Sequence, residues 1–137
     1  MIPQLLFDHP TYNVIKPVKR AMVAALAACG QSREQVVDQM NELADQYGVR
    51  LIKGNGKLSM ETFEKWLNIN DMERVVNIKG LVIFCAITGG IDPLQEMVKP
   101  LGFAIVGDKD AKLLDWARLY HKGKKAREAM KRIEAEL

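Results

Sequence analysis

The chain has 137 residues, 48% of them hydrophobic and 27% charged, with a net charge of +3 and a pI near 8.9. This composition suits a globular domain that buries a core without staples, and it excludes a chain dominated by disorder. The mild positive charge permits a nucleic-acid partner without requiring one. No apolar run approaches the roughly 20 residues of a membrane span; the longest, GLVIFCAITGG, reads as a buried helix.

The opening segment MIPQLLF lacks the charged start and long apolar stretch of a signal peptide. Up to Asn13, with Pro3 and Pro10, it shows no helical period. Asn13 or Lys16 then precedes a helix with Pro17 in its first turn, where the missing N–H costs nothing. Val18, Met22, Ala25, Leu26 and Cys29 recur at helical spacing, and Gly30 ends the helix.

Ser32 and Gln35 form a capping box for a second helix. Val36, Met40, Leu43 and Tyr47 mark its buried stripe, and Gly48 stops it. VRLIKGNGK predicts a short extended piece and a turn through Gly54, Asn55 and Gly56. Ser59 caps a short third helix that carries Phe63, Trp66 and Leu67, with Glu61 in its first turn. Asn77 caps a fourth helix through Leu81, Val82, Phe84, Cys85 and Thr88, ended by Gly89 and Gly90. Asp92 followed by Pro93 reads as a cap and first turn for a fifth, with Leu94, Met97 and Val98. FAIV at 103–106 is a small strand or core filler.

Asp108 precedes a long terminal helix. Along it Trp116, Leu119, Gly123, Ala126, Met130, Ile133 and Leu137 alternate steps of three and four, a heptad-like seam. Such a stripe either folds back on the domain or pairs with a second copy. Between 118 and 132 stand Arg118, Lys122, Lys124, Lys125, Arg127, Lys131 and Arg132 against Glu128 alone. They form a solvated helix face or a phosphate-binding strip.

No catalytic constellation emerges. GNGK fails as a phosphate loop, because Leu51 stands where the first glycine belongs and Leu58 where Ser or Thr belongs. His9 and His121 have no Cys or Glu at metal-ligand spacing, so no metal is expected. Cys29 and Cys85 sit in apolar runs and read as buried free thiols of a reducing cytoplasm. Neither an enzyme nor a cofactor is expected.

The second and third helices have the order of a helix-turn-helix, in which the first props the second against the major groove. Phe63, Trp66 and Leu67 would hold the third helix down. Ser59, Met60, Thr62, Lys65 and Asn68 would occupy its outward or edge positions. Glu61 and Glu64 are unusual on a reading helix, although Glu can accept from a cytosine amino group. The 48–58 connection is far longer than the usual turn; it is a loop, or a wing bringing Arg50, Lys53 and Lys57 to the DNA backbone.

ALAACGQSREQVVDQMNELA, KLSMETFEKWLN and IKGLVIFCAITGGIDPLQEMVKPLGFAIV together resemble the helix-turn-helix regulators of Mu-like transposable phages and prophages. More remotely they are similar to phage CII-type and lambda-repressor-like domains. The matching positions are Ser32, Arg33, Glu34, Gln35, Val36, Met40, Trp66, Phe84, Cys85, Thr88, Gly89, Pro93, Leu94 and Gly102, within roughly residues 15 to 106. The sequence departs from the pattern in the 48–58 insertion and the acidic third helix.

The resemblance implies an all-α, five-helix, lambda-repressor-like domain over 14–106, with a basic helical arm over 107–137. It implies a transcriptional regulator of phage or mobile-element origin that binds double-stranded DNA, and the seam of the arm adds the expectation of a homodimer. The contacts would come from Ser59, Met60, Thr62, Lys65, Asn68, Arg50, Lys53 and Lys57, with Lys124 and Lys125 on the arm. Trp116, Leu119, Ala126, Met130, Ile133 and Leu137 would form the dimer seam. The competing expectation is a helical protein-interaction module that binds a partner or itself through the arm.

Overall fold

The computed structural model describes residues 12–137; most of the expected non-helical lead-in, and His9, lie outside them. Among the described residues the fold is all-α, without strands. It divides into two compact units, one ending at Ala104 and the other running from Ile105 to Leu137.

The first unit contains α1 (Ile15–Cys29), α2 (Arg33–Gln46), α3 (Met60–Leu67), α4 (Ile78–Thr88), α5 (Asp92–Val98) and a 3-10 turn at Lys99–Leu101. Several boundaries have a local cause. The Asn13 side-chain oxygen accepts the Ile15 N–H at 3.3 Å, just ahead of Pro17. Gly30 closes α1 at φ +74°, a left-handed conformation that Gly adopts without Cβ strain. The capping box is complete: Ser32 Oγ accepts the Gln35 N–H at 3.1 Å, and Gln35 Oε1 accepts the Ser32 N–H at 2.9 Å. Asn77 Oδ1 accepts the Gly80 N–H at 2.6 Å to start α4.

Four local expectations need correction. Tyr47 is not on the buried stripe of α2 but 71% exposed, because the helix ends at Gln46 and Tyr47 is its C-cap. Val37 and Ala44 join Val36 and Met40 on that face instead. Asp92 is not the cap of α5 but its first helical residue; Ile91 precedes it and makes no side-chain cap bond. Val82 faces outward on α4, whose buried side is Leu81, Ile83 and Phe84. Residues 103–106 form neither strand nor core: Phe103 is 70% exposed.

The core lies where α1, α2, α3 and α4 converge. Met22, Val36, Met40, Phe63 and Phe84 are sealed there, and the Phe63 and Phe84 rings meet at 6.1 Å. Burying such side chains contributes about 1.5–3 kcal/mol each. α1 packs on α5 and α3, α2 packs on α4, and α3 touches both α1 and α2.

The 48–59 link folds as a pinned loop with the expected turn but without the expected short extended piece. The Leu51 N–H donates to Gly56 O at 2.9 Å across the glycine turn. Asn41 of α2 clamps its far end, donating to Leu58 O at 2.9 Å and accepting the Leu58 N–H at 2.8 Å. Leu51 and Leu58 are both buried. The loop therefore delivers Ser59 to a defined place on α2.

One buried group was not foreseen. Lys19 lies on the inner face of α1 and is only 1% exposed. Its ammonium donates to Lys65 O at 2.8 Å, in the last turn of α3, and to Arg74 O at 2.7 Å. A cation at a helix C-terminus suits the helix dipole. Burial pushes the Lys19 pKa below 10.5, and the nearby Asp71 carboxylate opposes that shift. This lysine fixes α1, the end of α3 and the following loop to one another.

The second unit is a single long helix, α6 (Asp108–Glu136), starting from Gly107. It buries none of its residues. Among the described residues, no helix is long and apolar enough to cross a membrane.

Candidate nucleic-acid interface

The candidate surface is the outward side of α3 together with the middle of α1 and the start of α2 beside it. Phe63, Trp66 and Leu67 recur at helical spacing and are all buried, so α3 is anchored along one side. Its other side is open: Ser59, Glu61, Glu64 and Asn68 are exposed. A groove of about 850 Å³ runs along this side, lined by Arg20 and Val23 of α1, Arg33 of α2, and Glu61, Glu64 and Lys65 of α3.

The two glutamates are ion-paired. Glu64 accepts from the Arg33 guanidinium, a contact between α2 and α3. Glu61 pairs with Lys65 at 3.2 Å along α3. Both pairs are solvent-exposed enough to contribute roughly 0–1 kcal/mol each. Their larger effect is on charge, since neither carboxylate stands alone. Among the described residues Arg20 and Lys57 have no carboxylate partner.

The expected contact residues divide into three groups. On α3, Ser59 Oγ accepts the Thr62 N–H at 3.1 Å and its hydroxyl meets Thr62 Oγ1 at 3.1 Å, so both serve the cap. Met60 is half-buried against the core. Lys65 is half-buried, with its ammonium on Glu61 and its carbonyl on Lys19. Asn68 is the exposed C-cap, and its side-chain oxygen accepts the Asn70 N–H at 3.0 Å.

The loop residues form the second group. The Arg50 guanidinium folds back onto Gly54 O of its own turn. Arg50 and Lys53 line a groove of about 650 Å³ with Val76, Ile78 and Lys79 at the start of α4. The loop thus borders α4, tied there by the Asn77 amide donating to Leu51 O at 2.7 Å. Lys57 is exposed, two residues ahead of Ser59.

Lys124 and Lys125 form the third group and belong to the second unit, where both are exposed. On α6 the seam residues Trp116, Leu119, Met130, Ile133 and Leu137 are also exposed, and Leu119 is 70% so. The Trp116 and Tyr120 rings stack at 5.4 Å.

Sequence reasoning missed Arg20 and Arg33 as parts of this surface, and Lys19 as the buried support beneath it. Arg33 reaches Glu64 across 31 positions, and Lys19 reaches Lys65 across 46; no local pattern signals either. Lys19 alone left a trace, a lysine one residue from Val18 on the apolar stripe of α1.

Nothing in the described residues resembles a metal centre: no three His, Cys, Asp or Glu side chains cluster. Cys29 and Cys85 are half-buried rather than buried. The Cys29 thiol donates to Leu26 O at 3.2 Å, and burial raises the Cys85 pKa, the opposite of thiolate activation. No protein-family model matches the chain, and no curated protein or solved structure is significantly similar to it.

Proposed function

We propose that this chain is a DNA-binding regulator of the phage or mobile-element kind, docking α3 in the major groove. One observation carries the reading. A short helix is anchored on α1 and α2 by three buried apolar side chains, while its polar side stays open and its two glutamates are ion-paired. Asn68 and Lys65 line the groove beside α3, Arg20 adds positive charge to it, and exposed Lys57 adds positive charge ahead of the Ser59 cap. The basic face of α6 adds phosphate attraction. The mechanism is docking, in which base edges are read by polar side chains and orientation is held by backbone contacts.

The test is a duplex-DNA titration over fragments of the encoding genome at low and physiological salt. Retardation at micromolar protein that weakens steeply with salt is the expected result. Absence of any salt-sensitive complex overturns the reading.

A second reading is favoured by the bare seam of α6: a helical module that associates with protein. A Leu119→Asp, Ile133→Asp double variant that loses partner or self association, in a chain that ignores DNA, would select it.

A further inference from the structure

We infer that α6 self-associates antiparallel, with Gly123 and Ala126 of one copy facing Ile133 and Met130 of the other. This rests on reading α6 as a self-associating arm and adds its partner and direction.

The helix buries nothing within its own chain, yet Leu119, Met130, Ile133 and Leu137 form a solvent-exposed row. The two middle seam positions, Gly123 and Ala126, are small, and the positions after them are large. Parallel pairing puts each residue against itself. Gly123 meets Gly123 and Ala126 meets Ala126, leaving two thin layers next to bulky ones. Antiparallel pairing with Ala126 against Met130 sets every small residue against a large one. Leu119 then meets Leu137, and the overlap runs for about 27 Å of helix. Interdigitated large and small side chains fill a seam that like-with-like layers leave open.

Charge on the flanks agrees. One flank carries Asp115, Lys122, Ala129 and Glu136; the other carries Tyr120, Arg127 and Glu134. In the parallel arrangement opposite flanks meet, and Lys122 falls beside Arg127 of the second copy, twice per dimer. In the antiparallel arrangement like flanks meet. Lys122 falls beside Glu136 of the second copy twice, and Tyr120 beside Glu134 twice. A single Arg127–Arg127 meeting remains. Flanking charges of this kind set helix orientation.

The direction is tested on the full-length chain by sedimentation and by disulfide trapping. Ala126→Cys and Met130→Cys variants are oxidised separately and mixed, with the parent protein as control for Cys29 and Cys85, and linked peptides are mapped. The expected result is a dimer, a 126–130 link in the mixture, and no 126–126 or 130–130 link in either variant alone. Same-residue links overturn the antiparallel direction. A monomer at about 100 µM, well above the micromolar range of working complexes, or a dimer lacking the 126–130 link, overturns the inference outright.

Lys122→Glu provides a surface variant with little effect on folding. Antiparallel pairing predicts several-fold weaker dimerisation, because the introduced carboxylate meets Glu136 of the second copy; strengthening instead marks the parallel form and overturns the inference. All of these readouts are made without DNA. A chain that links 126 to 130 but binds no DNA refutes only the regulator reading, and a DNA-binding monomer refutes only this one.

Discussion

Gly80 of α4 lies directly against the indole of Trp66 of α3. A Cβ at position 80 would stand 2.7 Å from Cη2 and 2.8 Å from Cζ3 of that ring. Trp66 is itself buried, so its indole has little room to retreat. The glycine is what lets the first turn of α4 seat the Trp66 indole, one of the three side chains that anchor α3.

Gly80→Ala is accordingly expected to destabilise the first unit by about 1–3 kcal/mol, the usual cost of overpacking a core. Gly80 is in the first turn of α4, where Ala gains less than the about 1 kcal/mol it has over Gly in a helix interior, so the clash with the indole dominates. Thermal unfolding monitored by tryptophan fluorescence measures it. An unchanged midpoint would mean that the indole is not seated on α4.

Lys19→Met removes a buried donor from two carbonyls. The expected loss is about 1–3 kcal/mol, the cost of leaving buried polar groups unpaired. The pH dependence has a definite sign. The folded-state pKa of Lys19 is below the unfolded value, so between the two the unfolded chain binds more protons. The lysine's contribution therefore makes stability rise with pH through the window just below 10.5. Denaturant unfolding at neutral and alkaline pH should show that rise in the parent and its loss in Lys19→Met.

Asp71 governs the acid side. Its carboxylate accepts the N–H groups of Glu73 and Arg74 at 3.1 and 3.0 Å and pairs with the Arg74 guanidinium at 3.3 Å. The Arg74 backbone bond is the largest cause of a pKa held below 3.8. A depressed carboxylate pKa contributes stability that is present above the unfolded value and lost as pH falls through the folded one. Asp71→Ala should flatten acid unfolding below about pH 4, the ordinary aspartate range, as read by circular dichroism.

Glu64→Gln tests whether the α3 surface meets DNA. It releases Arg33 and removes one negative charge from the groove. On the regulator reading the variant binds duplex DNA more tightly, with a salt slope steeper by about one unit. Lys57→Ala should move affinity and slope in the opposite direction. If neither variant alters binding by a chain that does bind DNA, contact is made elsewhere.

Much of the fold was already visible along the chain. The capping box at Ser32, the caps at Ser59 and Asn77, and the left-handed stops at Gly30 and Gly89 act over a few residues, and each stands where the pattern put it. The anchoring side of α3 was equally readable, because Phe63, Trp66 and Leu67 share one helical face. Less visible were Tyr47 and Phe103. An aromatic at the edge of a helix or in a short apolar run is consistent with either core or surface, and only the neighbouring elements decide.

The sequence by itself determined that each helix forms, most of the caps and stops that bound it, and the main part of its apolar stripe, because hydrogen-bond caps and a 3.6-residue period are local properties. Only the tertiary structure decided which polar groups meet: Arg33 with Glu64, Lys19 with Lys65 and Arg74, Arg50 and Lys53 beside the start of α4. Those partners come from different helices and loops. Their encounter depends on how the apolar faces pack, and the charge presented by α3 follows from that packing.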